Sequence, residues 1–334
     1  MKSPITGKEM ALLKEKRALV FRKEEFEVVY HYFKCEDSRE SFTTTQLDEL
    51  NINQLYNQCR VKYKLPFPDE IKLIREKYGL SALKMSEVLG FGVNSYRNYE
   101  SGEVPNQSNA RLIQLASDER EFKKLVELSN AFDAKTLDKV LQKVELIIQE
   151  QKSIKFKTQF EHYLLGTHFP DSNTGYRLPN FNKFTEMVIY FTEKLQPWKT
   201  KLNKLLFYAD FVMYGKTGFS VSGTQYRAIP MGPVPNNFQS IFEYLSNNND
   251  IDIYYTIFPD GNTGEQFKPN PQRSFNPEIL SEQELIVLEE IAERFKTTTT
   301  NEIIDISHKE KAWIENEKGK NIINYNYGFD LNLR

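Results

Sequence analysis

Apolar positions change their period along the chain, and each change marks a boundary. In residues 1–47 they alternate. Ala18-Leu19-Val20-Phe21 and Phe26 to Phe33 predict short antiparallel strands with charged turns between them. From 48 to 65 the spacing becomes helical, with Leu50, Leu55 and Tyr56 on one face. Pro66 and Pro68 close that segment, and Asp69-Glu70 place negative charge at the start of the next helix.

Short helices follow from Pro68 to Leu128, separated by Gly79, Gly90-Phe91-Gly92 and Ser101 to Pro105. A longer run from Ala134 to Glu150 carries Leu137, Val140, Leu141, Val144 and Ile147-Ile148 on one face. It reads as a packed helix or connector, because a coiled coil needs more heptads. Gly166 to Pro179 reads as a loop. Beyond it the pattern predicts helices near 181–195 and 199–214, a Gly-bounded hairpin or loop at 215–232, and a Pro-capped helix at 235–247. A strand follows at Ile251 to Phe258, then a Pro- and Asn-rich loop at 259–277. Ser281 with Glu284 opens a helix as a capping box, and Glu302 to His308 forms a short one. The tail from Lys311, with Trp313, has no clear period.

These elements predict an α+β fold, mainly α. A small N-terminal β-ribbon occupies 1–65 and a five-helix bundle 66–130. A helical connector spans 131–174, and a mostly helical domain with a small β element spans 175–334. At 334 residues, with 40% apolar side chains, 24 Phe and 18 Tyr, the chain can bury more than one core. No apolar run reaches the roughly 20 residues of a membrane span, and residues 1–10 have no signal-like apolar segment. Two cysteines, Cys35 and Cys59, make no disulfide framework, so a reducing cytoplasm is the expected setting. Net charge is −2, and the first 130 residues carry 21 basic against 20 acidic side chains. Non-specific wrapping of a polyanion is therefore not expected.

Between Ile71 and Gly102 the segment meets the geometry of a helix-turn-helix. One helix ends at Gly79. Ser81 caps a second, with Leu83, Val88 and Leu89 facing the core, and Gly90 allows the turn into a third from Val93 to Glu100. The segment resembles Xre/Cro-type helix-turn-helix domains. Its Val-Asn-Ser-Tyr-x-x-Tyr-Glu-x-Gly ending is similar to that of the MqsA-like antitoxins. Val93, Tyr96 and Tyr99-Glu100 are expected to be structural. Asn94, Ser95, Arg97 and Asn98 would face base edges, with Lys84 and Lys72 on phosphates. In the resembling family the positions of Asn94 and Asn98 read bases. The latter is usually Arg there, and Arg97 stands beside it here. A dimer on an inverted repeat is implied, because one short helix reads few bases.

The N-terminal segments Ser3 to Met10 and Cys35 to Phe42 resemble the two knuckles of the MqsA-like zinc ribbon. Thiolates would be expected at Ser3, Thr6, Cys35 and Ser38, and only Cys35 is one. Hydroxyls at neutral pH are poor zinc ligands, so no zinc and no other cofactor is expected.

Lys201 to Asp210, followed by Tyr226-Arg227-Ala228-Ile229-Pro230-Met231-Gly232-Pro233-Val234-Pro235, resembles the core of the Panacea (SocA-like) domain of antitoxins. That resemblance runs from about Gly175 towards the C-terminus. It implies an antitoxin of a type II system that neutralises a cognate toxin by direct contact. The preceding helix-turn-helix would repress the operon. Leu202, Leu205, Leu206, Ala209, Val212 and Met213 should be buried, leaving Lys201, Lys204, Tyr208 and Asp210 at polar edges. Lys204, Asp210, Tyr226 and Arg227 are the candidate toxin-binding polar surface. Alternatives are a transcriptional regulator without a toxin, phage-borne in one version, or a proteolytic adaptor. Catalysis is not expected: the four His lack metal spacing, and no P-loop or Gly-x-Ser-x-Gly is present.

Overall fold

A computed structural model describes residues 1–259 and 261–333, and of 151–158 the helical backbone alone. Asp260 of the expected 259–277 loop and Arg334 of the C-terminal domain lie outside the described residues. The fold is α+β and mainly helical, with three small antiparallel sheets among the described residues. The chain divides into two compact units, Met1–Thr158 and Gln159–Arg334. The first unit thus takes in the ribbon, the helical bundle and much of the expected connector.

In the first unit β1 (Ala11–Phe21) and β2 (Glu24–Lys34) form a long hairpin, and β3 (Ser41–Phe42) adds a short third strand to β2. β1 begins seven residues before the expected strand at Ala18. Its Lys14-Glu15-Lys16-Arg17 run reads as turn chemistry, yet it lies on an edge strand whose side chains are mostly exposed, where charge is tolerated. The turn is made by Arg22 and Lys23, both at positive φ (52° and 69°). Helix α1 (Thr45–Tyr63), capped by Thr44, packs against β2. Its side-chain amides finish the sheet edge. Asn51 exchanges bonds with His31 N and O (2.8 and 3.0 Å), and Gln54 does so with Val29 N and O (both 2.9 Å). Gln58 donates to Glu27 O at 2.8 Å.

Five short helices follow: α2 (Pro68–Tyr78), α3 (Ala82–Val88), α4 (Ser95–Glu100), α5 (Gln107–Leu115) and α6 (Glu119–Leu128). Their shared core holds Ile71, Tyr78, Met85, Val88, Tyr96, Ile113 and Phe122. Helix α7 (Ala134–Leu165) sends Val144 into that core, with Leu137, Val140, Leu141, Ile147 and Ile148 packed around it. The run read as a packed helix is therefore one wall of the first unit's core.

The second unit is built around α9 (Lys199–Thr217), which is buried on every side from Lys201 to Gly215. Its neighbours are α8 (Phe181–Leu195), α11 (Glu282–Arg294), α12 (Thr300–His308) and the hairpin β4–β5 (Tyr226–Ile229, Gly232–Pro235). A 3-10 turn at Tyr325–Asp330 also packs on it. Helix α10 (Phe238–Asn247) opens at Asn237 and not at the prolines: Pro233 and Pro235 lie in β5. The segment expected as a loop at 259–277 contains a strand, β7 (Thr263–Pro269), paired with β6 (Ile251–Ile257). Its Gly264, Gln266 and Lys268 gave no apolar alternation to detect. The tail adds α13 (Lys311–Ile314), whose Trp313 donates to Ile229 O at 2.8 Å. No helix among the described residues is long and apolar enough to cross a membrane.

Candidate functional sites

In the first unit, hydrogen bonds and an ion pair hold α4 in place. Tyr96 N donates to Ser86 Oγ (3.1 Å), Tyr96 OH donates to Ile71 O (2.8 Å), and Arg75 Nε meets Glu100 at 2.6 Å. Ser81 caps α3, and Gly90 turns the chain out of it at φ 69°. What Gly90 supplies there is that backbone angle, since a Cβ would meet nothing within 4 Å. With Tyr96 and Tyr99 turned inward, Asn94, Arg97 and Asn98 stand exposed in a row at the start of α4, and Ser95 is half-buried.

Other parts of the expected surface are placed differently. Leu83 and Val93, expected to be structural, are 40% and 69% exposed: Leu83 lies on the outer face of α3, and Val93 lies in the turn before α4. The Lys84 amine is already held, by Glu87 at 2.6 Å and Ala131 O at 2.8 Å. Lys72 is exposed and pairs loosely with Glu76 at 3.8 Å.

At the N-terminus the two loops do meet. Thr6 Oγ1 lies 3.5 Å from Cys35 Sγ, while Ser3 Oγ accepts from the backbone N–H groups of Ile5 and Thr6, each at 3.3 Å. Hydrogen bonds from Ser3, Ser38 and Thr6 lower the Cys35 thiol to about 6. Ser3, Thr6, Cys35 and Ser38 thus form one cluster around a single sulfur. Among the described residues no group of three or more His, Cys, Asp and Glu side chains is gathered as a metal would require.

The second unit places three of its four candidate contact residues inside. Lys204, Asp210 and Tyr226 are fully buried, which corrects their expected place on a polar surface; Arg227 alone is exposed. The cause is that α9 is covered all round, so its polar residues have no edge to occupy. Lys201 and Tyr208 are buried too. Lys201 reaches Thr298 O at 2.6 Å, and Tyr208 meets Glu310 at 3.3 Å. Asp210 is a hub. Its Oδ1 accepts from Val221 N (2.8 Å) and Ser222 N (2.9 Å), and its Oδ2 from Ser222 Oγ (2.6 Å) and Tyr226 OH (2.8 Å). Burial pushes its pKa up, and those four bonds oppose the shift.

Tyr226 in turn packs edge-on to Phe207, Phe211 and Tyr325. Lys204 runs under Gly232, where a Cβ would lie 2.5 Å from its Cε, and its amine donates to Pro233 O at 3.0 Å. Burial brings the Lys204 amine down to about 7. His308, stacked on Trp313 at 3.9 Å, is lowered first by burial and then by the nearby Lys204 charge.

Arg227 holds Lys320 O (2.7 Å) and Asn236 (3.2 Å) from its exposed position. Glu310, which ties Tyr208 of α9 to the backbone of Asn332 (3.0 Å), went unrecognised in the sequence, since its partners are 102 and 22 residues away. The chemistry of this cluster is that of a latch. Its ionisable groups are spent on backbone and hydroxyl partners.

Residues 202–314 match the family model described as "Antitoxin SocA-like, Panacea domain". The matched segment contains the α9 hub, the β4–β5 hairpin and α12, and the match points to a role related to toxin–antitoxin systems. No curated protein matches the chain.

Proposed function

We propose that this protein is an antitoxin that neutralises a cognate toxin by direct, non-catalytic binding through its second unit. We also propose that it represses its own operon through α3, the Gly90 turn and α4, acting in the cytoplasm as a homodimer on an inverted-repeat operator. The family match over the buried latch is the observation that carries the first part. The second part is supported by the row of Asn94, Arg97 and Asn98 at the exposed start of α4, a placement suited to base edges in a major groove. Toxin contact then falls to surface residues around the latch, Arg227 among them, while Lys204, Asp210 and Tyr226 hold the surface in shape.

Co-expression tests the reading. The product of the neighbouring open reading frame should arrest growth when induced alone, and this chain should restore growth. Arrest that the chain leaves unrelieved would refute the antitoxin role.

A further inference from the structure

Among the described residues no strand and no backbone hydrogen bond occupies the outer edge of β6. Phe267 N donates away from β6, to Pro197 O at 2.9 Å, so Phe267 and its opposite number Ile253 form a non-hydrogen-bonded pair of the ladder. By the same alternation Ile253, Tyr255 and Ile257 direct their N–H and C=O groups outward. Along this strand Tyr254, Tyr255 and Ile257 are 51%, 69% and 77% exposed, and Phe258 just after it is 39% exposed. The segment from Ile253 to Pro259 has no charge, no bulge, and no proline before Pro259. Natural sheets guard such edges, and this chain does so elsewhere: Asn51, Gln54 and Gln58 close the edge of β2.

We propose that the free edge of β6 pairs with β6 of a second copy of this chain, antiparallel about a two-fold axis through Tyr255. The register is self-complementary. Tyr255 faces Tyr255 of the second copy, Ile253 faces Ile257, and each of these pairs exchanges both backbone bonds. Tyr254 faces Thr256, so aromatic and β-branched side chains meet across the seam, and no like charges oppose each other. Asp252 falls opposite Phe258, and Pro259, with no N–H, ends the ladder. The exposed side chains offer roughly 900 Å² at most over two copies, against about 1,600 Å² for a standard interface, so the dimer is reversible and weak. This pairing stands on the β6 geometry and not on the reading of α4. Operator binding could fail with the β6 dimer intact, and the reverse.

The test is sedimentation equilibrium of the full chain from low to high micromolar concentration, with hydrogen exchange at the same concentrations. The expected result is a concentration-dependent dimer in which the amides of Ile253, Tyr255 and Ile257 become protected together. Tyr255→Lys sets like charges face to face on the axis and should shift dimerisation at least tenfold to higher concentration. Tyr255→Cys should cross-link to itself under mild oxidation, because its Cα atoms would sit about 5.5 Å apart, whereas Tyr254→Cys should not. A wild-type chain that stays monomeric throughout overturns the proposal. So does a dimer that Tyr255→Lys leaves intact. Protection of those amides only on adding the neighbouring gene product would also overturn it, giving the edge to that partner.

Discussion

Ser222 is bonded twice to Asp210, through its hydroxyl at 2.6 Å and its backbone N–H at 2.9 Å. Those contacts, with Val221 N and Tyr226 OH, fasten the loop after α9 to the helix itself. Asp210 is thus spent inside the fold, where it fixes the loop after α9.

Replacing Asp210 by Ala would strand two backbone N–H groups and the hydroxyls of Ser222 and Tyr226 in a dry interior. The expected loss is about 3 kcal/mol or more at ~1–3 kcal/mol for each buried unpaired group. Asp210→Asn keeps one oxygen for the N–H pair, and its amide can donate to the two hydroxyls, so about 1 kcal/mol is expected. Both tryptophans, Trp198 and Trp313, lie in the second unit, so urea melts followed by tryptophan fluorescence report on it directly. Equal losses for the two variants would remove the latch from this account.

Lys204 makes the second unit's stability depend on pH. Its amine titrates near 7 when folded and near 10.5 when unfolded. Between those values the unfolded chain binds the extra proton, so stability rises with pH by as much as about 1.4 kcal/mol per unit. Below 7 both states are charged, and the full burial penalty is present. Lys204→Met should flatten this dependence and raise stability near neutral pH. Melts at intervals from pH 6.5 to 10 check it, and a parallel slope in the variant would contradict it.

Cys35 should titrate apart from Cys59. Hydroxyl donors bring the first down to about 6, while burial pushes the second up. The folded chain releases the Cys35 proton before the unfolded chain does, so this group adds stability at alkaline pH that is lost as pH falls from about 9 to 6. Thiolate absorbance against a Cys35→Ser baseline measures the titration. Ser3→Ala, Thr6→Val and Ser38→Ala together should return it towards the ordinary thiol range, and an unmoved titration would show that the hydroxyls are not its cause.

For DNA, the expected losses follow from which side chains are free. Asn94→Ala with Arg97→Ala should abolish a mobility shift of the chain's own promoter DNA, since each base contact is worth about 1–3 kcal/mol. Lys84→Ala should leave the shift nearly unchanged, because Glu87 and Ala131 O already hold that amine. A double variant that binds as wild type would move recognition away from α4.

Short-range chemistry was legible in the sequence. Ser81 and Ser281 cap helices where their spacing indicates, and Gly79 and Gly90 end or turn them. The apolar stripe of 137–148 correctly marks a packed helix. Two kinds of feature were not legible. The full length of β1 and the existence of β7 depend on a paired strand, which lets charged or Gly-containing stretches extend against their own period. The burial of Lys204 and Asp210 depends on α9 being wrapped on all sides, by elements up to 112 residues away such as Asn326 on Tyr214. Helical spacing alone assigns such residues to a solvent edge.

The most direct measurement of the central claim is the mass, in solution, of a mixture of this chain and the purified product of the neighbouring gene. The toxin's activity should be assayed in the same mixture. The expected result is a complex of fixed stoichiometry in which that activity disappears, unaltered by Asn94→Ala with Arg97→Ala. Two separate species, with the activity undiminished, would contradict the proposed neutralisation.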